Sequence, residues 1–166
     1  MIKMCKKYEK ILYPTDFSET AELALNHVKA FKKLKSEEVV ILHVIDEREI
    51  KKKDILSLLL GVAGLNKSVE EFEKELKDKL MKEAESKIEP IKKELENIGF
   101  KVKDLIVVGV PHKEIVKVAE EEQVDIIIMG SHGKTNLKEI LLGSVTENVI
   151  KKSKKPVLIV KRKKVE

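Results

Sequence analysis

Short apolar runs and longer amphipathic segments alternate along this chain. The runs are KILYP (10–14), EVVILHV (38–44), VKDLIVVG (102–109), VDIIIMG (124–130) and PVLIVK (156–161). They are rich in Val and Ile and barely alternate with polar residues, the pattern of strands covered on both faces. Between them the apolar positions recur at helical spacing. In SETAELALNHVKAFKKL, Ala21, Ala24, Val28 and Phe31 share one stripe with Leu25 beside it. HKEIVKVAEEE and NLKEILL…SVTENVIKK follow the same rule. A stripe from Val69 through Phe72, Leu76 and Leu80 to Ile98 predicts one long helix over 69–98. Pro90 lies inside it and predicts a kink or a short break, because proline lacks the amide hydrogen and crowds the preceding turn. Gly99 predicts its end.

The order β-α-β-α-β-α-β-α-β predicts a parallel sheet with helices on both faces and right-handed crossovers. One domain over 1–166 is expected, because no second core, linker or internal repeat interrupts the series. The stretch 46–68 fits least well. It begins highly charged (DEREIKKKD) and turns apolar, and it reads as a mobile excursion able to carry a short helix at a subunit contact.

Composition narrows the picture. Of 166 residues, 42% are apolar, enough for a sizeable core, and 38% are charged, against roughly 25% in average domains. Abundant Lys, Glu, Ile and Val without Trp is the balance of proteins from very hot environments. Basic residues number 34 and acidic ones 29, so the net charge of +5 is spread rather than segregated. The exception is 151–164, with seven Lys and one Arg. This reads as a solvated tail rather than a nucleic-acid patch, since four Phe and two Tyr offer no evident base-stacking platform. Cys5 is the only cysteine, which suits a reducing cytoplasm. MIKMCKKYEK has no apolar core of a signal peptide, and the longest apolar stretch, ILSLLLGVAGL, is too short to span a bilayer. A cytoplasmic protein with no membrane segment is expected.

In an open parallel α/β sheet, ligands bind beyond the carboxyl ends of the strands. The segments there are PTDFS, VIDE, GVPH and GSHG. Gly130 and Gly133 are three apart, nine residues separate Gly133 from Gly143, and Ser144 follows at once. Two such glycines can turn several N–H groups into an anion cradle. Taken alone, GSHG reads equally well as an ordinary turn. Ser144 and Glu147 have capping-box spacing, which predicts a helix from 145. A helix N-terminus is also a phosphate site, and Gly143 leaves its approach open. Pro14 ends the first strand, so Asp16 stands at the sheet edge. It can accept hydrogen bonds from a ribose or an adenine amino group, although its commoner use is as the acid of a turn before a helix start. Asp46 reads as merely exposed.

Other chemistries are absent from the sequence. There is no G-x-x-x-x-G-K-[ST] loop, no G-x-G-x-x-G fingerprint and no G-x-S-x-G elbow. His27, His43, His112 and His132 lack metal-site spacing. His27 reads as a helix-surface residue, His43 as a strand residue and His112 as a helix-start residue. Only His132 falls within the glycine motif.

GSHG, nine residues and then GS matches the G-2x-G-9x-G-[ST] nucleotide motif of universal stress proteins, and the chain resembles the ATP-binding members of that family. KILYPTDFSE resembles the family's first strand and acidic loop, and KPVLIV its last strand. The likeness runs from about residue 8 to residue 162. It implies a single-domain, three-layer α/β/α fold of the adenine nucleotide alpha hydrolase-like kind, with a five-stranded parallel sheet in the order 3-2-1-4-5. The switch point then lies between the first and fourth strands. By the same resemblance, Pro14, Thr15, Asp16 and the backbone of Val44 hold the adenosine. Met129, Gly130, His132 and Gly133 line the ribose and phosphate path, and Gly143, Ser144, Val145 and Thr146 cradle the phosphates. The implied cofactor is ATP, with magnesium or manganese carried on the phosphate oxygens rather than by protein side chains.

That strand order puts PVLIV at the sheet edge. An apolar edge invites a second chain, so a homodimer through Val157, Leu158, Ile159 and Val160 is expected. Three functions remain open: a nucleotide-dependent regulatory module or molecular switch read by a protein partner, a slow or partner-activated ATPase, and a non-nucleotide adapter whose glycines only turn the chain. Hydrolysis needs a positioned base and charge stabilisers. His132, Lys134 and Ser144 are the near candidates, none with an evident partner in sequence, so no catalytic residue is assigned.

Overall fold

The computed structural model describes residues 7–59, 69–133 and 142–162. The first apolar run forms β1 (Lys10–Pro14), whose last four residues are buried. Asp16 and Ser18 then start α1 (Glu19–Ala30). The Asp16 Oδ1 accepts from the Ser18 N–H at 3.0 Å, and the Ser18 side chain caps the helix by accepting from the Ala21 N–H. A 3-10 turn (Phe31–Leu34) and Lys35, with φ of 66°, reverse the chain into β2 (Glu38–Asp46).

β2 runs two residues beyond the apolar run that predicts it. A helix, α2 (Glu47–Leu59), follows directly, so the charged start of the 46–68 stretch is helical. Residues 60–68 lie outside those described. α3 (Val69–Ile98) is unbroken across Pro90, so the expected break is absent. Proline removes one amide donor, toward Ser86, but the turns on either side remain hydrogen-bonded and one buried stripe, including Ala84, Ile88 and Leu95, holds the helix down. Gly99, with φ of +99°, closes it.

β3 (Lys101–Gly109), α4 (Pro111–Glu121), β4 (Ile126–Gly130), α5 (Ser144–Lys152) and β5 (Val157–Val160) complete the chain. The sheet order is β3-β2-β1-β4-β5, every pair is parallel, and helices cover both sides, as the resemblance implies. Ile11 pairs with Val39 on one side and Ile126 on the other, so β1 is central. One core face is built around Tyr13, Val28, Ile41 and Leu95, and the other around Leu12, Leu42, Val118 and Ile127. The sheet's amino edge is tied by ion pairs. Glu122 receives both Lys10 and Lys103, and the Lys103 ammonium holds its carboxyl below the usual range, with Lys10 adding to the effect. Among the described residues, no helix is long and apolar enough to cross a membrane.

Candidate functional site

β1 and β4 are neighbours, and the connections that leave them run in opposite directions, from β1 to β2 on one side and from β4 to β5 on the other. Beyond Pro14 and Gly130 the sheet therefore opens at a switch point. The Thr15 N–H still donates to the Leu42 carbonyl at 2.9 Å, but β1 ends there while β2 continues to Asp46. Leu42 turns its carbonyl toward β1, so strand alternation turns the backbone of Val44 the same way, along the space beyond β1. Pro14 and Thr15 are buried beneath this opening, and Asp16 is half-buried at its rim.

The glycine motif lines the other wall. A Cβ at Gly133 would stand 2.8 Å from the Asp16 Oδ2, which brings the acidic loop and the motif together. A Cβ at Gly143 would lie 3.4 Å from the His132 Cα and 3.8 Å from the Gly133 nitrogen. The two halves of the motif therefore meet in space. The Gly143 N–H donates to the Ser131 carbonyl at 2.8 Å and fixes that approach.

The three glycines serve different needs. A Cβ at Gly130 would lie 2.6 Å from the Thr20 Oγ1 and 2.7 Å from its carbonyl carbon. Gly130 lets α1 pack on the end of β4, a reason separate from any ligand. The Thr20 hydroxyl donates to the His132 carbonyl and clasps the same junction. Gly143 has φ of −73°, which any residue adopts, and its added Cβ would make only ordinary contacts among the described residues. Among the described residues, neither backbone conformation nor packing there demands a glycine.

Gly143 is the N-cap of α5, and Ser144 is its first helical residue. The expected capping box is not formed, because Ser144 sits one position too late to cap, and among the described residues no side chain caps the helix. The Glu147 N–H instead bonds to the Gly143 carbonyl at 2.9 Å. The amides of Ser144, Val145 and Thr146 precede the first intrahelical bond, so the end of α5 offers donors and the positive end of its dipole. Thr146 is buried, and its hydroxyl donates to the Gly130 carbonyl at 3.1 Å, anchoring α5 to β4. Val145 packs partly into the core, and the Ser144 residue is exposed.

His132 is half-buried, and its Nδ1 lies 2.8 Å from the Oγ of the buried Ser131. The Met129 side chain is buried in the core beneath α4 and α5, so only its backbone can reach the sheet edge. Lys134 lies outside the described residues. His112 is the second residue of α4, with Nε2 at 3.3 Å from the Lys152 ammonium; burial first, then Lys152 and Lys113, hold its pKa below the ordinary value. Asp46 is not merely exposed: Arg48 grips both its oxygens, at 2.6 to 3.1 Å, and that hydrogen bonding holds the carboxyl low.

Sequence reasoning gave no role to Thr20 or to Phe17, and none beyond the strand to His43. One signal was available. A histidine inside the apolar run EVVILHV is a polar group in a mostly buried strand, and such a group needs a partner.

The description "Universal stress protein family" fits residues 7–161. This chain belongs to the universal stress protein family. Universal stress protein MJ0577 of Methanocaldococcus jannaschii is 81% identical over 160 residues, covering 96% of this chain and 99% of that protein. A solved structure of MJ0577 superposes with a TM-score of 0.84 over 96% of this chain and 100% of that one, with 71% identity in the structural alignment. Two more distant structures share the fold. One is a universal stress protein in complex with cAMP (20% identical, TM-score 0.57, 94% of this chain and 98% of that one). The other is a universal stress protein family protein of Arabidopsis thaliana with AMP bound (15%, 0.55, 93% and 92%).

Proposed function

We propose that this universal stress protein binds ATP at the switch point between β1 and β4 and acts as a nucleotide-dependent regulatory module. The observation that carries the reading is Gly143. Among the described residues it is a glycine without a conformational or packing need, placed at the start of α5 and against Gly133. A phosphate chain approaching the amides of Ser144, Val145 and Thr146 supplies the missing reason, because a side chain at 143 would stand in its way. Asp16, Thr15 and the backbone of Val44 then face the nucleoside end, and Gly130, His132 and Gly133 the path between. That family members of this fold are found with AMP and with cAMP supports an adenine nucleotide as the ligand class.

Magnesium or manganese belongs to this reading as a cation on the phosphate oxygens, the usual habit of magnesium. When bound, the ion would neutralise phosphate charge.

Binding rather than turnover is the proposed activity. The Asp16 carboxylate is the acid at the opening, and it holds the turn through Ser18. Denaturing extraction of the purified protein, followed by identification of the released ligand, tests the reading together with calorimetry on ligand-free protein. Adenine nucleotide in near one-to-one amount, or micromolar ATP affinity on reloading, is expected. Neither retention nor affinity for any adenine nucleotide would overturn it.

A further inference from the structure

Beneath the loop that carries Asp16 lies a second set of contacts. His43 is buried in β2, and its Nδ1 is 2.8 Å from the Thr15 carbonyl oxygen. A carbonyl only accepts, so the imidazole donates from Nδ1. The His43 ring also lies against Phe17, with centroids 4.6 Å apart and planes at 32°. Phe17 has φ of 62°, a left-handed conformation that a bulky residue adopts only when its surroundings impose it. On another side, the Lys87 ammonium of α3 stands 5.3 Å from the Phe17 ring centroid. Within the loop, the Phe17 N–H donates to the Thr15 Oγ1 at 3.1 Å, and the Ser18 N–H to the Asp16 Oδ1 at 3.0 Å. The strained residue is thus held between β2 and α3, directly after the carboxylate that faces the switch point.

We propose that His43 is a positioning residue for the nucleoside end of the site. From β2 it holds the Thr15 carbonyl and the Phe17 ring, and through that turn it fixes where Asp16 presents its carboxylate. A leucine or phenylalanine would fill the same space in an apolar strand. A ring with a donor is required by the loop rather than by the sheet, since the Nδ1 contact leaves the strand for the residue after Pro14. The inference rests on the proposed nucleotide site, and it adds that the site's acid is set by a residue that does not touch the ligand.

The test uses the full chain with His43→Ala, His43→Phe, which keeps the ring without the donor, and His43→Asn, whose side-chain amide can donate from nearly the same place. Calorimetry should show ATP and adenosine weakened by one common factor of about ten in the Ala and Phe variants, with partial recovery in Asn. In an Asp16→Ala background the same His43→Ala change should have no further effect on affinity, because the residue it positions is gone. Losses that simply add in that background, or wild-type affinity in His43→Phe, would overturn the inference. Exchange of the Ser18 amide provides a readout without nucleotide, and it should quicken by a similar factor in His43→Phe. If the wild type binds no adenine nucleotide, the proposed function falls, and this exchange alone decides the His43 role: an unchanged rate overturns it. If every His43 variant fails to fold, the exposed Lys87→Ala decides. A two- to fivefold faster Ser18 exchange, about the worth of a surface cation–π contact, is expected, and an unchanged rate overturns the sandwich.

Discussion

The carboxylate of Asp16 and the α-carbon of Gly133 are packed so closely that a Cβ on the glycine would stand 2.8 Å from Oδ2. The contact joins the loop after β1 to the loop after β4 across the switch point, and it gives Gly133 a role as room for the acid. Gly133→Ala should therefore fold, displace the carboxylate and weaken ATP, ADP and adenosine alike, by about tenfold, as should Asp16→Ala. The two changes should not add, because alanine at 16 removes the clash. Calorimetry on the two single variants and the double decides it. A Gly133→Ala protein that loses ATP while keeping adenosine would place this glycine on the phosphates instead.

Gly130 and Gly143 should separate stability from binding. The Gly130 position abuts the backbone of Thr20, so alanine there pushes α1 off the sheet and should cost about 1–3 kcal/mol. Gly143→Ala meets only ordinary contacts among the described residues and should change stability by less than about 0.5 kcal/mol. Yet it should lower ATP affinity, by obstructing the amides of α5. Denaturant midpoints and ATP titrations on both variants read the two effects. Equal loss of affinity with no loss of stability in Gly130→Ala would count against the packing role.

The fold was legible in the sequence because each strand is a short apolar run and each helix has an apolar stripe, so local pattern and layer architecture agree. The resemblance then supplied the strand order. The misses share a physical origin. Pro90 violates a local rule, but a buried stripe extending on both sides outweighs one lost hydrogen bond. Ser144 has the composition of a cap, yet Gly143 takes that position, because where the helix starts depends on the long-range bond from the Gly143 N–H to the Ser131 carbonyl. Asp16 was visible as an edge acid. Its contact with Gly133, and the His43–Phe17 stack beneath it, join residues far apart in sequence and follow only from the assembled sheet.

Hydrolysis by the pure protein should be far slower than the ~10 per second of a typical enzyme. The Asp16 carboxylate already serves the β1–α1 turn, and activating an attacking water needs a positioned group. Single-turnover measurements with isolated protein, then with cell extract, separate an inert binder from one activated in trans. Multiple turnovers per second by protein alone would show an enzyme.

Tyr13 should shape the alkaline limb of stability. Its hydroxyl is buried and donates to the Ala21 carbonyl at 2.7 Å. Burial, above all, pushes its pKa up to about 12 from 10.0, with the Asp16 charge adding to the rise. Between these values the unfolded chain releases this proton and the folded one retains it. The contribution is therefore intact below pH 10 and is lost as pH climbs to 12, by about 3 kcal/mol. Tyr13→Phe should be less stable at neutral pH by about 1 kcal/mol, for the lost hydrogen bond, but should fall less steeply above pH 10. Urea midpoints for the two proteins from pH 8 to 11.5 test this; parallel curves above pH 10 would refute it.

We propose a homodimer through β5, on the ground of which of its backbone groups are already used. The Ile127 N–H bonds to the Pro156 carbonyl, and the Ser131 N–H to the Val160 carbonyl. Strand alternation then directs the backbone of 156, 158 and 160 toward β4, and that of Val157 and Ile159 outward from the sheet edge. Val157, Leu158 and Ile159 remain partly exposed there. A twofold axis at Leu158 would set Val157 opposite the partner's Ile159 and pair the outward groups antiparallel, in a contact that closes on itself. The flanking lysines, at 154, 155 and 161, would limit pairing to this short centre. Ile159→Pro removes an outward N–H and none that β4 uses, so it should give a folded monomer that still binds ATP. Sedimentation at micromolar concentration should find a dimer for the wild type and a monomer for this variant. A monomeric wild type, or a variant that stays dimeric, refutes the β5 interface and leaves the nucleotide site untouched.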